Sequence, residues 1–268
     1  ADLTDSGEKK IILTAAGAEG NIVSAKFENG NLVIRAKDAE AMKKAVVCFW
    51  YENIAYSLGS FDLPADIAYS RDLSKTVFYS DHNVTQSNGV CCREQLYDVH
   101  AYANEKGYKV FADYGAKYYI ASVGKSVIID TDVEWGNAQF TIDDSQVTPD
   151  KRGNWIFTLL ERTDSYKIDS IKTLTRDMTN LGVTFPESSI VTFYDDKSTH
   201  YVRYGGNADN GQTKRDSVVV DKNGNIDMDA PLMWDFDNIT SITVLPIEEE
   251  TRYISGGIFT TIANQAPS

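Results

Sequence analysis

Cysteine is scarce in this 268-residue chain, and its placement excludes a disulfide framework. There are three, Cys48 inside an apolar run and Cys91 beside Cys92. An odd number cannot all pair internally, and adjacent residues bridge each other only under strain. What is left open is one long-range bridge, Cys48 with Cys91 or Cys92, or simply buried thiols. Basic side chains are short as well: 26 Lys and Arg stand against 39 Asp and Glu, a formal net charge of −13. A nucleic-acid backbone would be repelled by that surplus, which removes it from the expected partners. Long apolar runs are missing, and no segment reaches the roughly 18 residues that a membrane span requires. The chain opens Ala1-Asp2-Leu3-Thr4-Asp5, with no basic, apolar leader, and reads as a mature or trimmed terminus.

The common catalytic and cofactor signatures are also missing. Neither GxGxxG nor GxxxxGK[ST] occurs, nor GxSxG, HExxH or CxxC, so no cofactor is expected. The histidines, His82, His100 and His200, lie far apart, and none has a partner at metal-ligand spacing. His100 reads as a surface residue of a helix, and His82 and His200 as residues of solvated loops. Asp221, Asn223, Asn225, Asp227 and Asp229 alternate like the oxygen ligands of a calcium loop, but Gly224 falls at the fourth place rather than the sixth and no Glu holds the twelfth. A hairpin turn is expected there, and no metal. The acidic groups Asp143-Asp144, Asp195-Asp196 and Glu248-Glu249-Glu250 could supply the two carboxyls of a glycoside hydrolase, yet in so acidic a chain they read first as surface.

What the chain does have is short strands, turns and aromatic rings. Fifteen Tyr, 11 Phe and 4 Trp favour pleated surfaces, and such rings are common where sugars are contacted. Over residues 9–80 apolar runs alternate with turn signals, and Asn29-Gly30 between two of them predicts a tight hairpin. Residues 38–44 read as one helical turn or a polar loop, and residues 45–51 and 54–58 as strands. The expectation is a small β-sandwich-like, Ig-like domain over residues 1–92. Polar residues 81–95 mark a junction. Leu96, Val99 and Ala103 then recur at helical spacing, with Gly107 placed to end the helix. Strands follow at intervals of about ten residues: 108–112, 117–121, 126–130 and 138–142. Residues 161–235 read as an insertion with antiparallel character, in which residues 168–181 read as helical and Asn223-Gly224 turns a hairpin. Residues 239–245 and 257–263 resume the spacing of the earlier strands.

A short helix, a glycine, a strand, a glycine turn and a tyrosine-bearing strand resemble the start of the right-handed parallel β-helix proteins of the pectate-lyase-like group. The residues that carry the resemblance are Gly107-Tyr108-Lys109-Val110, Gly115 and Tyr118, with Ala112-Asp113 standing where that group places proline. Stacked coils leave an open apolar end, and an amphipathic helix closes it. The fold expected is therefore mainly β: a sandwich-like segment, then over residues 93–268 a helix-capped β-helix start with an antiparallel insertion. The resemblance implies a secreted, bacterial, carbohydrate-active protein, the N-terminal part of a polysaccharide lyase or glycoside hydrolase, with its catalytic residues on coils beyond Ser268. The alternative on the same scaffold is a non-catalytic, glycan-binding adhesin or phage tail component. In either case the partner is a polysaccharide or surface glycan met outside the cell. Trp135, Tyr204 and Trp234, placed at turns, are the candidate sugar-stacking rings.

Overall fold

The computed structural model describes residues 9–56, 63–148, 150, 155–159 and 163–263. They form two compact units, one of residues 1–160 with 252–268 and one of residues 161–251.

In the first unit, strands β1 (Ile11–Thr14), β2 (Ile22–Glu28), β3 (Asn31–Arg35) and β4 (Ala68–Asp72) make a sheet of order β1-β3-β2-β4. Asn29 (φ 49°) and Gly30 (φ 77°) turn the expected hairpin, which pairs Glu28 with Asn31. Among the described residues no second sheet faces this one. Residues 45–51, expected as a strand, belong instead to helix α1 (Ala39–Asn53), which lies on one face of the sheet. Two physical signals override the β-branched and aromatic run. The Asp38 carboxylate accepts from the Ala41 N–H at 2.8 Å, capping the first turn. Ala41, Ala45, Cys48 and Phe49 then recur at helical spacing, and all four are buried. The sandwich gives way to a sheet with one helix. Residues 54–56 form a turn, and residues 57–58 lie outside the described residues.

The next strands are β5 (Thr76–Phe78), β6 (Lys109–Phe111), β7 (Lys117–Ala121), β8 (Val127–Ile129), β9 (Val133–Glu134), β10 (Gln139–Asp143) and β11 (Phe157–Leu159). All of their mutual pairings are parallel: β5-β6-β9, β7-β10 and β8-β11. After the second unit the chain returns as β16 (Ile254–Ser255) and β17 (Ile258–Ile262), which add in parallel to β9 and β10. The chain therefore winds through three short parallel sheets in turn, coil upon coil, as the resemblance implied. Because the pairing is in register, like residues stack: Tyr118 lies on Phe140 with ring centroids 5.2 Å apart, and Phe140 on Phe259 at 5.0 Å. At the corner after β9, Gly136 and Gly256 sit one above the other at φ 52° and 76°, and a Cβ on Gly256 would come within 2.3 Å of the Gly136 nitrogen.

Helix α2 (Arg93–Lys106) closes the start of this stack, ending at Gly107 with φ 67°. Leu96, Val99 and Ala103 enter the coil interior. The strand edges of the first coil are also satisfied there. β5 pairs with β6, and the Cys92 N–H donates to the Tyr119 carbonyl on β7 at 2.9 Å. The Asn104 side chain donates to the Ile128 carbonyl and accepts from the Asp130 N–H, completing β8. Arg93 is buried, and its guanidinium donates to the carbonyls of Lys125, Ala121, Ser122 and Trp155. Burial lowers its pKa, and the four carbonyls replace the water that it loses.

His100, expected on the helix surface, is fully buried. The Trp135 indole N–H donates to the Tyr79 hydroxyl at 3.0 Å, and the Tyr79 hydroxyl shares a hydrogen bond with His100 Nε2 at 2.7 Å. Burial pulls the imidazole pKa down to about 4 from 6.5. Between those two values the unfolded chain takes up a proton that the folded chain refuses, so stability falls as pH falls from about 6.5 to about 4. Urea midpoints at pH 7 and pH 4.5 are expected to fall further apart in the native protein than in His100→Gln, which keeps a hydrogen-bond partner for Tyr79 but does not titrate. The difference over that interval should be about 2.5 kcal/mol, since each pKa unit is worth about 1.4 kcal/mol. Phe140→Ala, which removes the middle ring of the stack, is expected to cost about 3 to 5 kcal/mol in the same measurement.

Candidate functional site

The second unit is built on β12 (Tyr166–Ile168), β13 (Ser189–Tyr201), β14 (Gln212–Val220) and β15 (Ser241–Pro246), in the order β12-β15-β13-β14 with every pair antiparallel. Residues 239–245, read from their spacing as a return to the coils, thus contribute to β15, one of the two inner strands of this sheet. Residues 168–181, read as helical, form no helix: they run irregularly, with a turn at Asp177 (φ 60°), and are held by cross-chain bonds. Leu174 exchanges backbone bonds with Phe236, and the Leu181 N–H donates to Gly224. Val191, Phe193, Val218, Val220, Leu232, Phe236, Ile242 and Val244 form its core.

Strand β13 is long enough to leave that core. β15 accompanies it only as far as Tyr194, opposite Ser241. Beyond that point β13 and β14 pair with each other alone, with register shifts on either side of Thr199. Alternation with buried positions stops there, and residues 196–204 are half-buried or exposed. The connection at 202–211 turns through left-handed residues, among them Gly205, Asn207 and Gly211. Its polar groups brace it: Asn207 donates to the Gly211 carbonyl, and Asp209 accepts from the Gly205 N–H. Tyr204 stands on this connection at 88% exposure, and Tyr201 ends β13, also exposed.

Trp234 comes to the same hairpin from a different part of the chain. Its segment is anchored by Leu232 and Phe236 in the core, by the Met233 N–H on the Asp216 carboxylate, and by Lys214, which donates to the Asp235 carbonyl and lies over the Phe236 ring. Trp234 alternates outward, 45% exposed, with its ring centroid 4.4 Å from that of His200 at 73°. His200, read as a loop residue, therefore lies within β13 and forms one wall of an exposed aromatic pair. The edge-to-face contact orients the indole and leaves ring surface exposed to solvent.

Trp135 belongs elsewhere and is not available for such a role. It lies in the first unit at 7% exposure, edge-on to Phe140 and Phe259 at 5.7 and 5.3 Å. Read as a turn residue, it is in fact the next inward position after β9: Val133 points in, Glu134 points toward Tyr56, Gly136 and Ser255, and Trp135 points in again.

Four of the acidic residues singled out from the sequence are occupied by local structure. A hydrogen bond from Tyr119, and then those from Ser145, hold the Asp143 carboxyl below the usual range. Asp144 accepts from the Ser122 hydroxyl. For Asp195 a hydrogen bond from Ser198 dominates the lowering, with the Lys197 N–H adding to it against the opposing effect of burial. Asp221 accepts from the backbone of Asn223 and Asn225 and from the Asn225 side chain, and the last of these chiefly lowers its pKa. The residues that resembled a calcium loop thus form an Asx-type turn closing β14 onto Ile226. Cys48, Cys91 and Cys92 are free thiols. Among the described residues no helix is long and apolar enough to cross a membrane.

No protein-family model matches this chain, and no curated protein matches it. Among solved structures it is similar to the "Gp54 tailspike of Acinetobacter baumannii bacteriophage AP22 in complex with A. baumannii capsular saccharide", with 10% sequence identity and a TM-score of 0.36. The match covers 70% of this chain, which spans 30% of the tailspike chain.

Proposed function

We propose that this chain is a glycan-binding protein on a helix-capped, right-handed stack of parallel strands, acting outside the cytoplasm, with the free end of the β13–β14 hairpin as its contact surface. The observation that carries the proposal is the pairing of Trp234 with His200 beside an exposed tyrosine-bearing hairpin end. A pyranose presents an apolar C–H face and a rim of hydroxyls. An oriented indole with exposed ring surface suits the first. Parallel crossovers of the kind that make the coils are right-handed in about 98% of cases, which supports the handedness.

Of the two activities weighed, binding is the one that this surface favours. Glycoside cleavage needs one protonated and one ionised carboxyl facing a common bond. Asp143 and Asp195 are held ionised by their hydrogen bonds, and Asp221 is engaged in its own turn. An adhesin or phage tail component is the class of protein that fits a glycan-binding surface of this kind.

Retention of the full chain on a panel of immobilised neutral and acidic polysaccharides tests the proposal, combined with an assay for released reducing or unsaturated ends. Trp234→Ala is expected to weaken retention about tenfold, equivalent to the ~1.4 kcal/mol that one stacked ring supplies. Tyr204→Ala should weaken it as well without moving the melting temperature, because its ring is almost fully exposed. Binding that both variants leave intact places the contact elsewhere, and released ends convert the proposal to the lyase or hydrolase alternative.

A further inference from the structure

The two edges of the β1-β3-β2-β4 sheet are built differently. At one edge, β4 ends in charged Arg71 and Asp72, and Arg71 is held by Glu52, which also binds Tyr69 and Lys109. At the other edge, β1 reads Ile11-Ile12-Leu13-Thr14 and has no charge, no proline and no bulge, the devices that normally blunt an exposed strand. The Leu32 N–H donates to the Lys10 carbonyl and the Ala36 N–H to that of Thr14. With Ile11 opposite Leu32 and Leu13 opposite Ile34, the main-chain groups of Ile12 face β3. Those of Ile11 and Leu13 face away from the sheet, on the side where no further strand lies among the described residues.

The side chains add to this edge. Ile11 and Leu13 share the sheet face that carries α1, yet α1 leaves them 69% and 53% exposed. Together with Leu32, Ile34, Val46 and Trp50 they line an apolar groove of about 420 Å³ between β1 and the helix. Val46 and Trp50, both exposed on the outer side of α1, also line an adjoining hollow beside the exposed ring of Tyr114. An apolar strip continuous with an open strand edge is an association surface.

We propose that β1 is where two copies of this chain join, each β1 pairing antiparallel with the other about a two-fold axis at Ile12, so that the two sheets become one of eight strands. In that register Ile11 faces Leu13 of the second copy, and each outward N–H and C=O on those residues gains a partner. The charges select this orientation. Lys9 and Lys10 fall opposite Ala15 and Thr14 of the second copy, whereas a parallel pairing would set lysine against lysine. A two-fold axis presents the same patch from both sides, which an isologous contact requires. Two four-residue strands alone bury less than the roughly 1,000 Å² of a stable interface, and the strip through Val46 and Trp50 supplies further area. With −13 on each copy, the contact is opposed by net repulsion and is strengthened by salt.

Sedimentation of the full chain over the micromolar range tests the proposal. The mass should rise with concentration from 29.8 kDa toward twice that value, and at lower concentration when salt is added. Leu13→Pro should hold the protein at 29.8 kDa with an unchanged circular dichroism spectrum, because the Leu13 N–H makes no bond to β3. Ile11→Lys, a change at an exposed side chain, should do the same if the proline variant does not fold. In a Cys91→Ser background, Ile12→Cys should give a disulfide-linked dimer on mild oxidation, since facing residues of a non-hydrogen-bonded antiparallel pair have Cα atoms about 4.5 Å apart. A native chain that is monomeric at every concentration overturns the proposal. So does an oligomer that survives both β1 variants, or a dimer that Ile12→Cys does not cross-link.

Discussion

Stacked parallel coils expose one problem at their first turn: an apolar interior and three rows of backbone groups would otherwise meet water together. In this protein a single segment answers both. Residues 91–106 bring Leu96, Val99 and Ala103 into the interior, while Cys92, Asn104 and the Arg93 guanidinium bond the backbone of the first coil. An unsatisfied buried carbonyl costs about as much as a hydrogen bond is worth, and Arg93 alone engages four of them. The helix is therefore bound to the strands it covers by specific bonds as well as by apolar contact.

The polar chain beneath the helix follows from the same constraint. Trp135 and Tyr79 fill the coil and bring one N–H and one O–H with them, and His100 supplies a hydrogen-bond partner for the Tyr79 hydroxyl. A leucine at position 100 would bury as well but would leave the Tyr79 hydroxyl without that partner. The imidazole is kept neutral by the loss of water, so cap and interior are coupled to the protonation of one ring. On the outer side, Phe78 and Phe111 stack at 5.4 Å against the region around Cys48, which joins α1 to the parallel strands.

Elements inserted into such a stack are released from its periodicity. The 161–251 unit has its own antiparallel sheet and core, and its longest hairpin outruns that core. A strand pair beyond its core has no buried face to fill, so its side chains are set by what they meet in solution. Tyr201, Tyr204 and the Trp234–His200 pair belong to that part of the unit. The buried ring of Trp135 shows the contrast: an aromatic residue inside the stack serves the stack.

Local signals determined much of the chain. Asn29-Gly30 supplied left-handed residues, and the 3.6-residue spacing of Leu96, Val99 and Ala103 with Gly107 behind it specified a helix and its end. The short strands between glycine turns had the period of coils. These features are legible because each depends on neighbours a few residues away. Other decisions depend on residues far apart in the chain. The strand-forming composition of residues 45–51 lost to a capped helix because a sheet face needed covering. Trp135 turned inward because β9 is paired on both sides, and His100 became buried because a coil mouth lay beneath it. Trp234 met His200 only because the 232–236 segment is pinned across β14. Sequence determined which segments could be strands, turns and helices; tertiary packing decided which faces met water, since burial is a property of neighbours that the chain brings together only when folded.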